Sequence, residues 1–85
     1  MRPLNLTIEA IRNVSRTQEF PNKDKFLIEL RKIESQCNVE NLTMNNGLWA
    51  EVSGLLEQYL GDIDQPWKQT VAELYQGRLD FTKYL

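Results

Sequence analysis

The chain has 85 residues, of which 41% are hydrophobic and 26% charged, and its formal net charge is −2. That is the balance of a folded globular chain, and one domain over residues 1–85 buries about 60–65% of the surface its unfolded form exposes. The mild acidity argues against a DNA- or RNA-binding surface, which clusters Lys and Arg, and no apolar run reaches the roughly 18 residues needed to cross a membrane.

A first helix is predicted over about 6–16, with Leu4, Ile8, Ile11 and Val14 on one side. Leu6 falls off this stripe, and Asn5 or Thr7 is the expected cap. Pro21 disfavours the helical region at Phe20, which sets a boundary over 17–21. The second helix, about 22–37, has the cleanest stripe, Phe26, Leu30, Ile33 and Cys37, with Leu27 beside it. Lys25 and Glu29 stand i,i+4 apart, a pairing worth only about 0.2–0.5 kcal/mol. Residues 38–46 are expected as a loop pinned by Leu42 and Met44, with Asn45 or Asn46 capping the next helix. Asn46-Gly47 is a hairpin signal, but no alternating strand comes after it.

The third helix, about 47–60, carries two apolar rows: Leu48, Val52, Leu55 and Tyr59, then Trp49, Leu56 and Leu60. Together they make a face about 140° wide, enough for two or more neighbours. The fold class expected is therefore all-α, a small four-helix bundle organised around this central helix. Gly61 is expected to stop it in the left-handed conformation. Asp64 or Gln65 is the expected cap of a fourth helix, about 65–76, with Pro66 near its start. Trp67, Val71 and Leu74 form its stripe, Tyr75 flanks it and Gly77 ends it. Short connections favour antiparallel packing of the last two helices. The tail, 78–85, is expected to form one more turn capped by Asp80, with Phe81, Tyr84 and Leu85 on one side.

The chemistry is sparse. The absence of His removes the commonest general acid–base group and metal ligand, and a single cysteine excludes the usual zinc sites and any internal disulfide. Cys37 has no imidazole to activate it, and its stripe position fits a small buried hydrophobe. No glycine-rich phosphate loop is present. Asp62 and Asp64 form a lone acidic pair without the other ligands of a calcium loop, and helix capping accounts for Asp64. No metal, no cofactor and no catalysis are expected. A single thiol fits a reducing compartment, and no long apolar run comes after Met1 to Asn5, so the cytoplasm is the expected location. Three matches to the glycosylation pattern, at Asn5, Asn13 and Asn41, serve better as caps and turn residues.

Three surface features remain. Ile28 lies opposite its helix's stripe among Lys25, Arg31, Lys32 and Ser35, the pattern of a site for an acidic amphipathic segment. Ala50 and Gly54 are small residues one turn apart on the outer side of the third helix, where a partner helix or the chain's own C-terminal tail can come close. Leu79, Phe81, Tyr84 and Leu85 make an apolar end that either folds back over the bundle or docks on a partner. Trp49, Tyr59 and Trp67 are assigned to the core. The function expected is a small helical protein–protein interaction module, with another protein or a second copy of the chain as partner. Its protein-binding residues are Ile28, Arg31, Lys32, Ala50, Gly54, Phe81, Tyr84 and Leu85. The alternative is a helix-turn-helix DNA-binding regulator, for which only Gln65, Lys68 and Gln69 qualify as contact residues on the fourth helix.

Overall fold

The computed structural model describes residues 3–40 and 46–85. Four α-helices succeed one another: α1 (Leu4–Ser15), α2 (Lys23–Glu40), α3 (Asn46–Leu60) and α4 (Pro66–Gln76), then a 3-10 turn, Phe81–Tyr84. The chain is the all-α four-helix bundle its periodicity predicts, and its radius of gyration of 11.8 Å is that of a fully collapsed chain of this length, about 12 Å.

The organising helix is α1 and not α3. Every residue of α1 is buried or half-buried, whereas seven of the residues of α3 are exposed. Helix α1 packs on α2, on α4 and on the C-terminal turn, while α3 packs chiefly on α2 and touches α4 only lightly. Two polar residues make this centre possible. Thr7 and Ser15 are fully buried, and each hydroxyl donates to the carbonyl one turn back, Thr7 to Pro3 (3.0 Å) and Ser15 to Ile11 (2.8 Å). A buried hydroxyl satisfied inside its own helix costs little, so these positions pack as small apolar groups would. Ala10 is also fully buried and lets a neighbour approach closely.

Helix α2 presents its expected stripe inward, with Phe26, Leu30, Ile33 and Cys37 all buried. It continues to Glu40, three residues into the stretch expected as loop; Leu42, Met44 and the Asn45 cap lie outside the described residues, as does the side chain of Asn46. Val52 of α3 is fully buried and Leu55 half-buried. Val71 and Leu74 of α4 complete the core, and α4 is joined to α3 by Tyr75, whose hydroxyl donates to the Trp49 carbonyl (2.9 Å) while the two rings meet edge-on.

Several local expectations are corrected. Helix α1 begins at Leu4 behind Pro3, with no side-chain cap from Asn5 or Thr7. Asn22 is outside α2, in the left-handed region at φ 61°, and its carbonyl accepts the first α2 bond from Phe26. Asn tolerates this conformation better than other residues with a Cβ. Glu29 faces Lys32 (3.7 Å) and not Lys25. Across the α1–α2 contact Arg12 pairs with Glu34 at 2.5 Å, partly shielded from solvent.

The two glycine stops work differently. Gly77 is left-handed (φ 78°), with its N–H donating to Leu74 and the N–H of Arg78 to Glu73, which closes the end of α4. Gly61 is not left-handed. A Cβ there would collide with the Glu57 carbonyl oxygen, so close approach is what demands glycine. Gln65, and not Asp64, is the N-cap of α4, through its backbone alone, with Pro66 in the first turn. Asp80 caps the last turn as expected, accepting from the Thr82 N–H and hydroxyl. Those bonds hold its carboxyl below the usual carboxylate value.

Candidate functional site

The residues singled out from the sequence fall into two places. Ile28, Arg31 and Lys32 stand exposed along the outside of α2, and Ala50 and Gly54 along the outside of α3. Ile28 is 55% exposed, one of two large hydrophobics left so open among the described residues. Lys32, one turn further on, lines a groove of about 350 Å³ between α2 and α3. Gly54 lines its opposite wall, and Ile33 and Leu55 lie between them. Nothing stands within 4 Å of where a Gly54 Cβ would be, so the missing side chain leaves open space beside the groove. Glu29, Glu51, Gln36 and Gln58 complete the lining. The structure thus brings Lys32 and Gly54 to one groove, with Ile28 and Arg31 adjacent on α2 and Ala50 one turn before Gly54.

Phe81, Tyr84 and Leu85 behave otherwise. The C-terminal turn lies on α1, where Phe81 and Tyr84 pack half-buried against the core. Asn13 fixes the position by donating to the Tyr84 carbonyl (2.8 Å). Leu85 alone projects, 51% exposed. Folding back in cis accounts for most of the apolar tail.

A second surface is not foreseeable from periodicity. The linker between α1 and α2 meets the linker between α3 and α4 at a cleft of about 620 Å³. Its half-buried walls come from Phe20, Tyr59, Ile63 and Trp67. The aromatic rings are stacked in series: Trp67 on Phe20 (5.2 Å between centroids), Phe20 edge-on to the buried Phe26 (5.6 Å) and Phe26 against Tyr59 (5.6 Å). Glu19, Asp62 and Asp64 stand exposed around it. The available signal is positional. Phe20 precedes Pro21 and Trp67 comes directly after Pro66, so two bulky rings sit at helix boundaries where a stripe cannot absorb them wholly.

Groups able to do chemistry are few. Cys37 is 3% exposed, and burial, then the Glu34 charge, pushes its thiol above the ordinary value. A thiol held protonated in this way is a poor nucleophile. Among the described residues no three His, Cys, Asp or Glu side chains gather as a metal set, and Asp62 and Asp64 remain a pair. Of the candidate DNA contacts on α4, Lys68 donates to the Gly61 carbonyl (2.8 Å), while Gln65 and Gln69 are exposed. Asp62 and Asp64 precede that helix, where a phosphate backbone would have to approach.

No family model, curated protein or solved structure matches this chain.

Proposed function

We propose that this chain is a small helical protein–protein interaction module, of the adaptor, regulator or inhibitor kind, that acts by surface complementarity and not by catalysis. The observation that carries the reading is the α2/α3 face. An open Ile28 is ringed by Lys25, Arg31 and Lys32 beside a groove floored by Ile33 and Leu55 and widened at Gly54. An amphipathic partner helix with apolar residues inward and carboxylates along the edge that meets Lys25 and Arg31, away from Glu51 on the opposite wall, complements that face, and the small side chains at Ala50 and Gly54 admit its backbone. The partner is another protein or a second copy of the chain. The single free, buried thiol supports a reducing compartment, and we place the protein in the cytoplasm on that ground. Among the described residues no helix is long and apolar enough to cross a membrane.

The test is site-specific photocrosslinking in the native cell from position 28, with exposed Gln76 as the control position. A discrete protein captured from 28 and not from 76, and lost in an Arg31→Glu/Lys32→Glu variant of unchanged helicity, is the expected result. Equal, diffuse labelling from both positions would overturn the reading. So would a gel shift of duplex DNA that weakens steeply with salt, the behaviour of a DNA-binding regulator.

A further inference from the structure

We infer that the aromatic cleft between the two linkers is a second binding site, and that its occupant is an extended peptide segment presenting a Lys or Arg flanked by apolar residues. The chemistry of the lining points to a cation. Among its described residues are three carboxylates, Glu19, Asp62 and Asp64, and no Lys or Arg. Among the described residues Asp62 and Asp64 form no ion pair, and the highly exposed Glu19 is engaged by Lys23 at 3.2 Å. Lys68 is outside this lining: its ammonium donates to the Gly61 carbonyl (2.8 Å) and borders an adjoining pocket with Asp64.

The aromatic walls point the same way. Phe20, Tyr59 and Trp67 line the cleft with partly exposed rings, and a guanidinium or ammonium is attracted to aromatic faces while its aliphatic stem packs on them. The Tyr59 hydroxyl and the Trp67 indole N–H have no hydrogen-bond partner among the described residues, so both are available to a peptide backbone. Trp and Tyr are also the side chains that most often anchor interfaces. The rings are preorganised: each leans on the next, with Phe26 buried beneath them, so binding orders little that is not already ordered. A peptide fits better than an isolated cation because the cleft is open and long enough to be bordered by both linkers, with Ile63 as apolar surface beside the acidic rim.

The experiment titrates the full-length chain, labelled with ¹⁵N, with a pool of short peptides holding a central Arg or Lys among varied apolar residues. A matched pool with central Glu and tetramethylammonium alone are the controls. The expected result is movement of the Trp67 indole N–H resonance, with little movement of that of Trp49, for the basic pool only. An Asp62→Asn/Asp64→Asn variant, altered only at exposed positions, should bind about tenfold more weakly, since each exposed ion pair is worth up to about fivefold. No movement of Trp67 up to millimolar peptide overturns the proposal, as does equal response to the Glu pool or unchanged affinity in the double variant. Tetramethylammonium binding as tightly as the peptides would overturn it in favour of a small-cation site. Ile28 does not line the cleft, and neither Asp62 nor Asp64 lines the α2/α3 groove, so crosslinking from position 28 in the double variant separates failure of this site from failure of the interaction-module reading.

Discussion

At the scale of single residues, three glycines that look alike in the sequence have opposite physical reasons to be there. Gly77 sits at φ 78°, so Gly77→Ala forces a left-handed alanine and should lower stability by about 1 kcal/mol. Gly61→Ala drives a methyl into the Glu57 carbonyl and should cost about 1–3 kcal/mol, because backbone has to move. Gly54→Ala meets nothing and removes backbone entropy within α3, so it should raise stability by up to about 1 kcal/mol. Urea unfolding of the three variants checks the order, and a destabilised Gly54→Ala would contradict the open space beside the groove. Cys37 supplies a pH dependence. Its thiol is raised in the fold above the 9.0 of an exposed cysteine, so the folded state holds the proton more tightly than the unfolded one. Stability from this group is intact below pH 9.0 and falls as pH rises from there through the raised value. Slow reaction with a thiol reagent at neutral pH, made fast by denaturant, reports the same burial.

Among the elements, α2 and α4 were legible because their apolar stripes are made of large residues at regular spacing. Their boundaries were less so. The α2 helix runs on to Glu40 because nothing in Asn38-Val39-Glu40 forbids it, whereas composition alone had marked that stretch as loop. Asn22 and Gly61 were misread because a left-handed residue is set by how the chain must turn, and sequence names only the residues that tolerate it. The C-terminal turn shows what an element of four residues can contribute. Phe81 and Tyr84 cover α1, so truncation after Gly77 uncovers the organising helix and should lower the melting temperature and helicity together. Retained helicity with an unchanged melting temperature would show that the turn adds nothing to the core. The Arg12–Glu34 pair ties α1 to α2 at a partly shielded site, and a double-mutant cycle with Arg12→Ala and Glu34→Ala should give a coupling of about 1 kcal/mol that shrinks with added salt.

For the whole molecule, the all-helical architecture is dictated by periodicity, but which helix lies at its centre is not. Two rows of bulky residues made α3 the natural choice, whereas the stripe of α1 is narrower and Leu6 falls off it. Inside the fold the Thr7 and Ser15 hydroxyls are spent on their own helix, so α1 packs against α2, α4 and the C-terminal turn with no fully exposed residue, while α3 keeps an open outer face. The candidate surfaces were legible in the same uneven way. The α2/α3 face was visible because Ile28 breaks an amphipathic pattern, whereas the aromatic cleft exists only when two linkers distant in sequence meet. This arrangement has a measurable consequence. A chain of 85 residues is stable by about 4–13 kcal/mol in total, and opening α1 means breaking every interface it makes. Amides near Ile8 and Ile11 should therefore exchange only by global unfolding, with the slowest hydrogen exchange in the molecule, and those of α3 should exchange faster through detachment of α3 from α2. By the same logic Ile8→Ala should cost about 2–5 kcal/mol and Leu55→Ala distinctly less. Slower exchange in α3 than in α1, or a costlier truncation at Leu55 than at Ile8, would return α3 to the centre of the fold.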